Sequence, residues 1–257
     1  MSFRINSGGF RVSSGGFRVA PLPTIITDGL VLYLDAGNTA SYPGSGTTWT
    51  DLSGNGNNGT LVNGPTFSSA NSGNIVFDGT DDYADLVNNS NTLFSNSQSH
   101  SFSLWLRKNG NNSGNFAYIY DRYGTYRTPG LLFDLNTNTL VVEWRTSTNA
   151  AWTFLSSGLA VDTNIWNFVT VTINAPGTGQ TKTINVYLYK STGLNTATMT
   201  SGTDWNADTN GPFSLGVSIS NGTYFNGAIA QVLTYNKVLS ASEVSQNYNA
   251  LKSRFGL

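Results

Sequence analysis

The sequence predicts an all-β sandwich preceded by an extended arm and closed by one short helix. Three observations carry this reading: a long series of short, alternating apolar runs, breaks between them rich in Gly, Asn and Ser, and a single stretch of helical periodicity near the C-terminus. At 257 residues the chain is within the range of one large β unit, and two smaller units are the alternative on length alone. Hydrophobic residues make up 39% and aromatics 12%, ample for a core, while charged residues are only 11%, well under the usual quarter or so. The polar surface must therefore be built mostly from Asn, Ser, Thr and Gly.

In chain order, residues 1–20 are a repeat arm. "FRINSGGFRVSSGGFRV" places Phe3-Arg4-Ile5, Phe10-Arg11-Val12 and Phe17-Arg18-Val19 at seven-residue intervals, separated by polar residues and paired glycines. One such unit buries little surface, and glycine pairs raise the entropy lost on ordering. Apolar-basic-apolar triplets suit addition to an exposed sheet edge or a groove on a neighbouring chain, and repetition on one tether gives a multivalent gain. Phe3, Arg4, Phe10, Arg11, Phe17 and Arg18 are thus the candidate assembly residues; a tail with accidental repetition is the alternative. Residues 21–27 form a linker, stiffened by the prolines of "APLPT", each of which fixes φ and biases its predecessor towards extended backbone.

The sandwich is expected over residues 28–257. Its strand candidates include "GLVLYLDA", "GNIVFDG", "SHSFSLWLRK", "NFAYIYDRY", "GLLFDLN", "TLVVEWRT", "WNFVTVTINA", "TINVYLYK", "PFSLGVSI" and "GAIAQVLTYN". Period-two alternation puts Phe102, Leu104 and Leu106 on one face and suggests further inward positions at Val186, Leu188 and Tyr224. Connections such as "LSGNGNNG", "KNGNNSG" and "ISNGT" supply the Asn-Gly chemistry of tight turns. Over residues 240–255 the pattern turns helical. Ser240 and Glu243 form a capping box, Val244, Tyr248, Leu251 and Phe255 share a stripe, and Gly256 is placed to end the helix. That stripe is expected to pack on the sandwich or cover a sheet edge.

Charge excludes some partners. Thirteen Lys and Arg against 14 Asp and Glu give no field that would draw nucleic acid or anionic lipid. There is no cysteine, hence no disulfide framework and no thiolate metal site. No apolar run approaches the roughly 18 residues of a membrane span, so no membrane insertion is expected. The opening "MSFRINSGGF" shows neither an apolar h-region nor a small-residue cleavage site, from which folding in the compartment of synthesis is expected.

Three stretches carry a family likeness: "GLVLYLDAGNTASYPGSGTTWTDLSGNGNNGTLVNGPTF" (29–67), "IVFDGTDDYADL" (75–86) and "YFNGAIAQVLTYNKVLSASEVSQNYNALKSRFG" (224–256). Together they resemble the laminin G-like, concanavalin A-like jelly-roll β-sandwich, in the variety found in structural proteins of tailed phages and large viruses. The likeness covers roughly residues 28–256 and leaves out the arm. It implies that the first and last strands pair and that the motif residues serve packing and turns, with Gly79 permitting a sharp turn between Phe77 and Tyr83. It also implies a comparison with laminarinases of the same fold, which carry two Glu and an Asp interleaved on one strand. Here the only glutamates, Glu143 and Glu243, are far apart; that motif is absent, and the chain is expected not to be an enzyme.

His100 is the sole histidine and reads as a surface or strand-start residue rather than a base, since a triad or a His-rich zinc site would hang on this one ring. The resemblance implies calcium at the rim of the sandwich, and "FDGTDDYAD" gathers Asp78, Asp81, Asp82 and Asp85. Asp78, Asp81 and Asp82 are the candidate ligands, because calcium takes carboxylate oxygens; solvated turn formers, with Asp78 bonded to its own loop, are the alternative. No other cofactor is implied. For glycans, "FAYIYDRYGTYRTPG" offers Tyr118, Tyr120, Tyr123 and Tyr126 with Arg122, and "SGTDWNADTNG" offers Trp205. Aromatic faces with polar handles suit recognition, although strand tyrosines equally serve as core or cross-strand pairs.

The function expected is that of a virion structural protein, a capsid decoration or fibre component, displayed in many copies at the virion surface. The arm would join it to other virion proteins or to further copies, and the jelly roll would face outward and bind cell-surface glycans. A cellular surface adhesin or filament subunit assembled through the arm is the alternative, and a glycoside hydrolase the third choice.

Overall fold

The computed structural model describes residues 24–86, 99–110, 116–122, 130–134, 136–144, 153–177, 179–201, 213–218 and 222–257. Their strands are, in order, β1 (Leu30–Asp35), β2 (Thr48–Trp49), β3 (Gly59–Val62), β4 (Thr66–Ser68), β5 (Asn74–Asp78), β6 (Tyr83–Leu86), β7 (His100–Lys108), β8 (Phe116–Arg122) and β9 (Gly130–Asp134). There follow β10 (Thr139–Trp144), β11 (Thr153–Ala160), β12 (Trp166–Asn174), β13 (Lys182–Lys190), β14 (Gly193–Ser201), β15 (Phe213–Leu215), β16 (Val217–Ser218), β17 (Thr223–Tyr224) and β18 (Asn226–Tyr235). One helix, α1 (Ala241–Leu251), comes last and runs into a 3₁₀ turn over Lys252–Phe255.

Two large antiparallel sheets face each other as a jelly-roll sandwich. The back sheet has the order β14-β13-β12-β7-β18-β5-β4, with β1 also paired to β18; the front sheet has the order β11-β10-β9-β8-β15-β6-β3-β2. Pairing of β1 with β18, Leu34 opposite Val232, meets the expectation that first and last strands are neighbours. Alternation decides what lies between the sheets: Phe102, Leu104 and Leu106 of β7 and Val186 and Leu188 of β13 all enter the central cluster with Phe77, Leu131, Phe133 and Val142. The reading of Tyr224 as inward does not hold, for it is only half-buried at the rim.

The outer face of the back sheet is apolar too, and α1 covers it. Trp105, Phe168, Tyr189 and Leu233 form a second cluster with Val244 and Phe255, in which Trp105 stacks on Phe255 at 4.2 Å and Tyr189 on Tyr248 at 4.0 Å. The capping box forms as its sequence requires: Ser240 Oγ accepts from the Glu243 amide and Glu243 Oε2 accepts from the Ser240 amide. Gly256 takes a left-handed conformation after the 3₁₀ turn. Arg254 then latches this end to the sheet. Its Nη1 lies 2.7 Å from Asp35 Oδ1, its Nε donates to Asn71 O at 2.6 Å, and its Nη2 donates to Gly73 O.

The two ends of the back sheet are finished differently. Along β1, side chains of the 51–57 loop satisfy the outward backbone: the Tyr33 amide donates to Asp51 Oδ1, and Ser53 Oγ and Asn57 Nδ2 donate to Val31 O. At the other end, β14 pairs only with β13 among the described strands.

Candidate cation and glycan site

The site begins with the turn between β5 and β6. Gly79, at φ +79°, reverses the chain in a region that costs other residues dearly, and Asp78 folds back on the turn by accepting from the Thr80 amide at 2.7 Å. Asp82 Oδ2 in turn accepts from the Asp78 amide at 3.0 Å. The two bonds draw the side chains together, so that one carboxylate oxygen each from Asp78, Asp81 and Asp82 lies within 4.8 Å of the other two. Oxygens on opposite sides of a calcium ion, each about 2.3–2.6 Å from it, are about 5 Å apart. The three carboxylates therefore fit a single calcium.

Electrostatics at the turn is uneven. Backbone donors, that of Thr80 first, hold Asp78 below the usual carboxylate range, whereas burial pushes Asp82 up. Asp78 and Asp81 are exposed and Asp82 is buried, so two of the carboxylates face solvent over one fixed in the wall. Tyr83 follows at once, and Tyr224, the last residue of β17, comes two positions before Asn226 of β18, which pairs with Asp78. Both rings are half-buried. Burial, with Asp85 and Tyr224 nearby, raises the Tyr83 phenol. Tyr83 and Tyr224 thus stand close to each other and to Asp85, on strands next to the acidic turn, and offer part of two aromatic faces.

A second polar feature crosses the outer face of the front sheet. Phe154 of β11 is opposite Glu143 of β10, and Glu143 is opposite Gly130 of β9. Asp121 of β8 is opposite Ser214 of β15, then come Asp85 of β6 and Thr60 of β3. A Cβ at Gly130 would sit 3.5 Å from both Asp121 Oδ1 and Glu143 Cγ, so this glycine joins the two halves of the row. Glu143 and Asp121 are each 1% exposed, and Glu143 Oε2 accepts from the Tyr118 hydroxyl at 2.8 Å. Asp85 Oδ1 and Ser214 Oγ are buried without a hydrogen-bond partner, and burial pushes the Asp85 carboxyl up.

The structure corrects part of the glycan expectation. Tyr118 and Tyr120 are each 1% exposed and offer no face to a sugar. A register shift between them adds one residue to β8 and sends the two rings to opposite sides of the sheet. Tyr120 packs in the core at 4.2 Å from Phe102, and Tyr118 joins Leu132 and Val141 on the outer side. Arg122 is described only as the last backbone position of β8, opposite Phe213. Tyr123, Tyr126 and Trp205 lie outside the described residues, as do the assembly residues Phe3, Arg4, Phe10, Arg11, Phe17 and Arg18. His100 starts β7 as expected but is buried at 3% exposure, not on the surface.

Sequence reasoning missed Tyr83 and Tyr224 as rim aromatics and the row through Asp121 and Glu143. Parity held one clue: in "YADL" Tyr83 alternates with the inward Ala84 and Leu86 and shares a face with Asp85. The row held none, because Glu143, Asp121 and Asp85 come from distant strands and meet only through the sheet order.

The family model described as the concanavalin A-like lectin/glucanases superfamily matches residues 78–245. No curated protein matches the chain in sequence. Among solved structures, the receptor-binding domain of botulinum neurotoxin type G superposes with a TM-score of 0.62 at 15% identity, over 86% of this chain and 51% of that one. The binding domain of botulinum neurotoxin DC in complex with SialylT gives 0.63 at 17%, over 88% and 52%. Domain 4 of AbnA, a GH43 extracellular arabinanase from Geobacillus stearothermophilus, in complex with arabinotriose, gives 0.60 at 16%, over 86% and 98%. The chain spans about half the length of the toxin domains and nearly all of the arabinanase domain. At these identities the likeness is one of fold.

Proposed function

This chain belongs to the concanavalin A-like lectin/glucanases superfamily, and from that premise we propose that it is a non-enzymatic glycan-binding module displayed in many copies on a virion. The observation that carries the binding reading is the corner at which Asp78, Asp81 and Asp82 converge within 4.8 Å beside Tyr83 and Tyr224. A calcium held there takes sugar hydroxyls into its remaining coordination positions, since it accepts six to eight oxygens, while the tyrosines supply apolar area and a hydrogen-bonding tip. Neighbours of the same fold, solved with SialylT and with arabinotriose, support saccharides as the ligand class. Burial of Glu143 and Asp121 supports binding over hydrolysis, because an acid/base pair must reach the glycosidic oxygen and a water.

The display reading rests on the arm, whose three Phe-Arg-Ile/Val units lie outside the family match, and on the resemblance to phage and large-virus structural proteins. Two experiments test the proposal. Glycan-array binding by purified protein should require calcium and fall at least about tenfold in Asp81→Asn, the loss expected when a charged ligand is removed from a shared cation; calcium-independent binding unchanged in that variant would refute the site. Deleting residues 1–20 should leave a folded, glycan-binding domain that no longer joins particles, and full incorporation of the deleted chain would refute the display role. Location on a cell surface instead of a particle would favour the adhesin reading.

A further inference from the structure

Among the described residues, the flank formed by β11 and β14 is the open side of the sandwich. These are the end strands of the front and back sheets, and they carry no charged residue and no proline: "TFLSSGLA" and "GLNTATMTS". Exposed edges are ordinarily blunted by lysines, prolines or a cover, as the 51–57 loop covers β1. β14 is nine residues long, about 30 Å of strand, and is exposed along most of its length, with Leu194 48% exposed. Leu155, Leu159 and Met199 are only partly buried against the core from this side. Between the strands is a recess of about 200 Å³ lined by Gly158, Leu159, Ala160, Leu188, Lys190 and Asn195. Lys190 is already engaged, donating to Ala160 O and Asp162 Oδ1, so the recess sets the aliphatic groups of Leu159, Ala160 and Leu188 beside the polar Lys190 and Asn195.

We infer that this flank accepts, by strand addition along β14, a Phe-Arg-Ile/Val unit from the N-terminal arm of a neighbouring copy. In an added strand the Phe and the β-branched residue of a unit share one face and the arginine takes the other. The apolar pair then faces the recess beside Leu159 and Met199, and the arginine faces solvent, supplying the charge that the edge lacks. One observation favours a neighbour over the chain's own arm. The described chain begins against α1 and β18, where Thr24 O accepts from Gln246 Nε2, the Ile26 amide donates to Asn247 Oδ1 and Ile26 O accepts from the Tyr235 hydroxyl, and β18 is four strands from β14 in the sheet order. Donor and acceptor at different places on one chain make a head-to-tail contact, which closes into rings or continues as a lattice.

The inference rests on the arm being an assembly device, and its test separates the two. Because the chain has no cysteine, single substitutions report contacts cleanly. Full-length Val12→Cys is mixed with full-length Thr196→Cys on β14, or with Thr60→Cys on the front sheet as control, and oxidised. Disulfide-linked heterodimer should exceed the control on the order of tenfold, the effect of a raised local concentration. Free peptide "FRVSSGGFRV" should suppress it and slow amide exchange in β14. Equal yields with both partners, in a chain that still multimerises through residues 1–23, would overturn the flank as acceptor and leave the assembly reading standing. A full-length Val12→Cys/Thr196→Cys chain that crosslinks only within itself would overturn the neighbour as donor, and a strictly monomeric full-length chain would overturn both.

Discussion

Replacing Arg254 by methionine should cost the domain about 3–5 kcal/mol, the penalty for stranding one member of a buried ion pair. The side chains of Arg254 and Asp35 are only 9% and 7% exposed, so water does not screen the loss as it would on the surface. Asp35 would keep the Gly37 amide at 2.8 Å and the Tyr33 hydroxyl but lose its cation, and the carbonyls of Asn71 and Gly73 would each lose a charged donor. For a domain of this size about 1 kcal/mol moves the melting temperature by about 2–4 °C. The single variant should therefore melt about 6–20 °C lower in a thermal scan followed by circular dichroism. The double variant Asp35→Asn/Arg254→Met should recover much of that drop, because it leaves no unpaired charge. A single variant melting within about 2 °C of the parent, the behaviour of an exposed pair, would refute the reasoning.

Other outcomes follow from the same geometry. Calcium at ten to a hundred times a dissociation constant stabilises by about 1.4–2.7 kcal/mol, so its addition should raise the melting temperature by about 3–11 °C, and Asp81→Asn should abolish the rise. Tyr224→Ala should weaken glycan binding on an array by about tenfold, about 1.4 kcal/mol, while leaving the calcium-induced rise in place. Asp85→Asn should stabilise the fold modestly at neutral pH, in urea titrations, because it removes a half-buried charge one of whose oxygens lacks a hydrogen-bond partner. The sign follows from burial holding the folded-state pKa above the unfolded one: the penalty is absent below the unfolded value and grows as pH rises through the folded value. The gain should vanish in acid. Gly73→Ala should destabilise by several kcal/mol in the same titration, on the order of the larger core defects, since at φ +125° a new Cβ would lie 2.4 Å from Ala36 O.

Much of this fold was legible because its signals are local. Alternation in β7 and β13, the Ser240 capping box and the Asp78-Gly79 turn each involve residues within a few positions of one another, where periodicity and turn chemistry act directly. The acidic corner was legible for the same reason. What the sequence hid depends on register. Nothing in "FAYIYDRY" announces the extra residue that parts Tyr118 from Tyr120, and without it alternation assigns both rings to one face. Likewise Asp121 and Glu143 become neighbours only after β8, β9 and β10 are laid side by side.

β18 has a consequence for the order in which the molecule is made. It pairs with β1, β5 and β7, so the middle of the back sheet waits on the last strand of the sandwich: Lys108 is opposite Gly227, and Asp35 is opposite Gln231. During synthesis the earlier strands leave the ribosome without the one that joins them. Contacts of such long range make folding slow and expose unpaired strands to other nascent chains meanwhile. Closure of the sandwich therefore follows the synthesis of β18, and chains truncated before residue 226 should have no route to it.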